Sequence, residues 1–145
     1  MSERAAHVQA FLADAGWQAA EIAPLAGDAS FRRYYRLRRN EGQAVLMDAP
    51  PAREDVRPFV RIARHLLRLG LSAPAILAAD EAQGLLLLED FGDDTFSRLL
   101  KRGDAEDRLY ALAIDVLIHL HRLDPARSMR VELPSYDERR LLDVA

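Results

Sequence analysis

Leu85-Leu86-Leu87-Leu88-Glu89-Asp90-Phe91-Gly92-Asp93 passes from four consecutive leucines straight into acidic residues and a glycine. A short unbroken apolar run reads as a strand buried on both faces, and its abrupt end as a sharp polar bend. Such a bend sets one backbone carbonyl and one backbone N–H side by side above apolar walls, where a flat base fits. A core strand followed by an ordinary turn uses the same residues, so the neighbouring segments decide the matter.

Working outward, residues 75–79 pair with 85–89 as a hairpin around Asp80-Glu81-Ala82-Gln83-Gly84. Upstream, residues 55–69 read as a helix. Pro58 fits its first turn, Phe59, Ile62, Leu66 and Leu69 form its apolar stripe, and Gly70 stops it. Residues 44–48 form a strand entered through Asn40-Glu41-Gly42 and closed by Pro50 and Pro51. In residues 30–38 the side chains alternate: Phe31, Arg33, Tyr35 and Leu37 on one side, Arg32, Tyr34, Arg36 and Arg38 on the other. Gly27-Asp28-Ala29-Ser30 is a turn, and residues 17–25 are a weaker strand. An opening helix is capped by Ser2 and carries Val8, Phe11, Leu12 and Ala15 on one face.

Downstream, residues 95–102 and 104–123 are helical, the second with a wide apolar face of Leu109, Leu112, Ala113, Val116, Leu117 and Leu120. Ser135-Tyr136-Asp137-Glu138 has capping-box spacing for one more helix. Strands joined by tight turns and a single helix imply an antiparallel sheet, expected to be covered on one face. The fold class is therefore α+β: a sheet of about five strands with one packed helix over residues 1–92, then helices over 93–145.

The 145-residue chain is 50% hydrophobic and 30% charged, with a net charge of −3, which argues against nucleic acid as its main partner. Arginine dominates the basic residues, Lys101 being the only lysine, and arginine is the better fork for phosphate or carboxylate. There is no cysteine, which excludes disulfides and thiol catalysis. No apolar run has membrane length, and the N-terminus lacks the form of a signal peptide, so a cytoplasmic location and no membrane partner are expected.

Four stretches carry a resemblance: Leu25-Ala26-Gly27-Asp28-Ala29-Ser30-Phe31-Arg32-Arg33-Tyr34, Val45-Leu46-Met47-Asp48-Ala49-Pro50-Pro51, the 85–93 segment, and Leu117-Ile118-His119-Leu120-His121-Arg122-Leu123-Asp124. In this order they resemble the N-terminal half of the aminoglycoside phosphotransferase family, which has a protein-kinase-like fold. The first two stretches resemble most closely the bacterial cell-wall amino-sugar kinases, which phosphorylate the anomeric hydroxyl of N-acetylmuramate or N-acetylglucosamine in peptidoglycan recycling. The resemblance implies nucleotide and sugar as partners, with ATP and Mg²⁺ as cofactors.

By that resemblance ATP lies under the sheet. The Glu89 carbonyl and Phe91 N–H become the adenine contacts, Leu88 the back of the pocket and Val45 a wall. Gly27, Asp28 and Ser30 belong to the loop over the phosphates. The sequence departs from the general kinase pattern at Met47, where protein kinases and antibiotic-modifying members of the family carry a phosphate-pairing lysine, but the amino-sugar kinases look alike at Met-Asp-Ala-Pro-Pro. The following helix, residues 56–65, has no acid to partner such a lysine. Losing one half would strand a buried charge at roughly 3–5 kcal/mol, so the double absence is self-consistent. Either Arg32 or Arg33 reaches the phosphates instead, the favoured reading, or the lobe binds nucleotide weakly.

His119 and His121 point roughly 200° apart on a helix and cannot share a metal. The family's catalytic His-x-Asp…Asn loop and later metal-binding Asp follow the Leu-His-x-x-Asp helix, and nothing in the chain matches either. The chain alone is expected not to catalyse phosphoryl transfer. The rival readings are a pseudokinase-like binding module and an α+β domain without nucleotide.

Overall fold

The computed structural model describes residues 2–25, 30–103 and 105–124. In chain order it contains α1 (Glu3–Asp14), β1 (Glu21–Pro24), β2 (Arg33–Arg39), β3 (Gly42–Asp48), α2 (Arg57–Arg68), β4 (Ile76–Asp80), β5 (Leu85–Glu89), α3 (Phe96–Arg102) and α4 (Glu106–Arg122). The helix expected near Ser135 lies outside the described residues. The five strands form one antiparallel sheet in the order β1-β2-β3-β5-β4. No helix among the described residues is long and apolar enough to cross a membrane.

The leucine run explains how the sheet is covered. Side chains alternate along a strand, so Leu85 and Leu87 join Phe11, Leu12, Trp17, Leu37 and Leu46 on one face. Leu86 and Leu88 join Met47, Val56 and Val60 on the other. Helix α1 therefore covers the outer face and α2 the inner one. The expectation of a single packed helix and a sheet covered on one face is corrected. Leaving the outer face open would forgo about 1.5–3 kcal/mol for each of Leu85 and Leu87.

Arg4 fastens α1 to the sheet. Its Nε donates to Asp48 Oδ1 at 2.8 Å and its Nη1 to the Gln83 carbonyl at 2.6 Å. The buried Asp48 thus acts as an anchor between β3 and α1, facing away from Met47.

The buried face of α2 also differs from expectation. Val56 and Val60 meet the sheet with Phe59 packed beside them, whereas Ile62 is 39% exposed and Leu66 and Leu69 are half-buried. Large side chains on the sheet are met by small ones on the helix, as close packing requires. Of the expected stripe, Phe59 packs on this core, while Ile62 faces solvent.

His65 on the same helix is 5% exposed, and neither ring nitrogen has a partner among the described residues. An unpaired buried polar group costs about 1–3 kcal/mol. His65→Leu should therefore stabilise the fold by roughly 1 kcal/mol after the change of shape is allowed for. Urea denaturation measures it, and a loss of similar size would show that the imidazole has a partner.

The apolar face expected on α4 forms at helical spacing, but Leu112, Val116, Leu117 and Leu120 remain exposed among the described residues.

Candidate functional site: the inner face of the sheet and the crease after β5

Cα partners in an antiparallel ladder project to the same face. Two rows therefore cross the inner face. Arg36, Val45, Leu88 and Ile76 form one, and Tyr34, Met47, Leu86 and Ala79 the other. Val45, Met47 and Leu88 are brought together as an apolar roof, Met47 fully buried and Leu88 nearly so.

At the end of β5 the chain leaves this roof. The Glu89 N–H donates to the Ala75 carbonyl at 2.9 Å, and Glu89 Oε2 accepts the Ala75 N–H at 3.1 Å. This double tie to the start of the β4 hairpin fixes the last residue of the strand. Phe91 then stands 62% exposed at the crease. The crease is open to solvent at Phe91 and Gly92, and separate hollows lie between α1 and the β4–β5 turn and beside α4.

The next feature was not anticipated from the sequence. Arg36, only 8% exposed, reaches from β2 to the crease. Its Nε and Nη2 donate to the two carboxylate oxygens of Asp90, at 2.6 and 3.1 Å, and its Nη1 donates to Asp93 at 2.8 Å. Asp90 Oδ1 also accepts the Gly92 N–H at 2.8 Å, closing the bend on itself. The hydrogen bonds to Asp93 and Asp90 raise the Arg36 pKa, and the bond from Arg36 holds the Asp93 carboxyl below its ordinary range. Arg98 of α3 donates to the Asp93 carbonyl at 3.3 Å. Sheet, crease and first helix are thereby connected through polar contacts. The sequence signal was an arginine on the inner side of β2 and two aspartates in the bend, chemistry that spacing alone does not pair.

At the other end, Gly27 and Asp28 lie outside the described residues. Ser30 Oγ accepts the Arg32 N–H at 3.2 Å, and Arg32 Nε donates to Glu54 Oε2 at 3.2 Å. Burial opposes charge on Arg32, but Tyr34 and Glu54 outweigh it and leave its pKa raised. Glu54, in the segment between β3 and α2, was missed because the search for an acid was confined to the helix. Arg33 is separated from this group. It pairs in register with Asp48 and lines the α1 side with Arg4 and Tyr35. Among the described residues no three His, Asp or Glu side chains converge as a metal site.

A five-stranded antiparallel sheet with an apolar inner roof, a backbone crease after its β5 strand and helices beyond it is the frame of a kinase-like N-terminal lobe. Residues 21–144 match the family model described as "Phosphotransferase enzyme family", and the chain belongs to that family. It is similar to the N-acetylmuramate/N-acetylglucosamine kinase of Pseudomonas aeruginosa, 45% identical over 82% of this chain and 34% of that protein. It is also similar to the protein of the same name from Caulobacter vibrioides, 37% identical over 94% of this chain and 47% of that one. A third of that name, from Pseudomonas putida, is 41% identical over 83% of this chain and 34% of its own length. The chain thus spans less than half the length of these relatives.

Proposed function

We propose that residues 1–92 are the nucleotide-binding lobe of a cytoplasmic sugar kinase and residues 93–145 the start of its helical C-terminal lobe. The whole protein would transfer the γ-phosphate of ATP to the anomeric hydroxyl of N-acetylmuramate or N-acetylglucosamine in cell-wall recycling. One observation carries the reading: the Val45–Leu88 roof ends at the Glu89–Phe91 crease on the same face as Met47 and Tyr34, and Arg32 reaches Tyr34 and Glu54 beside it. A purine under that roof meets the Glu89 carbonyl and Phe91 N–H at its polar edge, which must be satisfied once buried. The resemblance assigns Gly27, Asp28 and Ser30 to the loop over the phosphates.

Arg32 is the cation for those phosphates, held by Glu54 as a lysine on β3 is elsewhere held by a helical glutamate. Its contact with Glu54, with Arg33 in register with Asp48 on the α1 side, supports choosing Arg32. The general base and the Mg²⁺ ligands belong to polypeptide beyond the described residues. ATP supplies the transferable phosphoryl group, and the residues of this chain bind and orient it.

Calorimetric titration of the chain with ATP tests the reading. Binding with an affinity insensitive to Mg²⁺ is expected, and no heat at millimolar ATP would overturn it. Arg32→Ala should weaken ATP about tenfold, or about 1.4 kcal/mol, while Arg33→Ala leaves it unchanged. The buried, uncharged Met47 favours a second reading, a pseudokinase-like binding module. Nucleotide binding without sugar phosphorylation by the full-length protein would select it.

A further inference from the structure

We propose that Arg36 is a positioning residue for the nucleotide base: it holds the crease in the conformation in which its backbone groups face a purine. This inference rests on the proposed nucleotide site and adds to it a side chain that touches neither base nor phosphate.

Arg36 is in the same cross-sheet row as Val45 and Leu88, the roof under which the base is to lie. An arginine there would ordinarily be driven to solvent by the cost of burying its charge. It is instead 8% exposed, and the Asp90 side chain that it grips is 4% exposed. Asp90 is the residue between Glu89 and Phe91. Fixing its side chain on both oxygens restricts rotation about the peptide units on either side. Those units carry the Glu89 carbonyl and the Phe91 N–H.

Two more contacts remove the remaining freedom. Asp90 Oδ1 accepts the Gly92 N–H, and Gly92 has φ +77°, a backbone state that suits glycine. Asp93 is held by the third Arg36 donor and, through its carbonyl, by Arg98. The bend is thus held at Asp90, Gly92 and Asp93 while the face that meets a base stays open. A planar, bidentate guanidinium does this where an ammonium, a single point charge, cannot. Preorganised donors and acceptors raise affinity by removing the ordering cost at the moment of binding.

The test separates positioning from simple stability. In the double variant Arg36→Met/Asp90→Leu both buried charges are gone, so no unpaired ion remains and the fold is expected to survive. Circular dichroism and thermal melting confirm folding, and calorimetry measures ATP. The wild-type chain is titrated first; if it does not bind ATP, the nucleotide reading itself has failed and not this inference alone. Given wild-type binding, the folded double variant should bind ATP at least tenfold more weakly. Inorganic tripolyphosphate, which engages only the phosphate end, should bind both forms equally. Asp90→Asn, nearly isosteric, should weaken ATP about threefold, and Arg36→Lys should resemble the double variant. Wild-type ATP affinity in a folded double variant, or equal losses for ATP and tripolyphosphate, would overturn the proposal. So would failure of both the double variant and Asp90→Asn to fold, which would assign these contacts to stability alone.

Discussion

Gly84→Ala should unfold or severely weaken the lobe, although it adds only one methyl group. Gly84 is buried at the end of the β4–β5 turn with φ +64°, and its carbonyl accepts the Ala49 N–H at 2.9 Å. A Cβ built there would stand 1.9 Å from the Ala49 carbonyl oxygen. Nothing flexible can yield, because both sides of the clash are backbone. Left-handed backbone at a non-glycine residue costs about 1–2 kcal/mol. Overpacking adds about 1–3 kcal/mol more, since Ala49 is followed directly by Pro50 and Pro51. The turn is also held by Arg4 through the Gln83 carbonyl, so a shift would propagate to α1. A loss of roughly 3 kcal/mol or more is expected in chemical denaturation, a large share of the 5–15 kcal/mol that typical domains possess. A change below about 1 kcal/mol would mean that the turn and the end of β3 separate easily.

The contrast between Gly84 and the leucines shows what a sequence exposes. The run at residues 85–88 reads as a strand buried on both faces, although the sheet as a whole was expected to have cover on one face only. The antiparallel pairing of β2 with β3 and of β4 with β5 followed from turns of two and four residues, which return a chain alongside itself, whereas the β3–β5 pairing is shown only by the fold. What was not legible required knowing which distant groups meet. The sequence shows Gly84 as a turn residue but not that Ala49 sits against it. It shows Arg36 as one of several arginines on β2, whereas only the fold pairs it with Asp90 and Asp93 across more than fifty residues. Glu54 was hidden for a related reason: the acid that meets Arg32 comes from the segment before α2, so a motif search on the helix passed over it. Of the two arginines left open by the sequence, their contacts separate them: Arg32 reaches Glu54, whereas Arg33 pairs in register with Asp48 on the α1 side.

Met47→Lys, which introduces the lysine expected from the general kinase pattern, should destabilise the lobe rather than improve it. Met47 is fully buried among Ala49, Val56, Val60, Leu86 and Leu88, and the helix above it offers no carboxylate. An ammonium placed there has no partner, and an uncompensated buried charge costs roughly 3–5 kcal/mol. The lysine would shed its proton instead, so its folded pKa falls below the unfolded value of about 10.4. The sign then follows. Between the two values the unfolded chain binds the extra proton, so stability rises with pH, by about 1.4 kcal/mol per unit while the folded form stays neutral. Relative to wild type, the variant should be weakest near pH 7 and recover toward pH 10. A second substitution, Val60→Glu, supplies a carboxylate in the same cluster. It should abolish the pH dependence and give a coupling energy of about 2–3 kcal/mol in a double-mutant cycle. Flat stability from pH 7 to 10 in Met47→Lys alone would mean that the ammonium finds Glu54 or solvent. In that case this strand could accommodate a lysine, and burial would not account for the methionine.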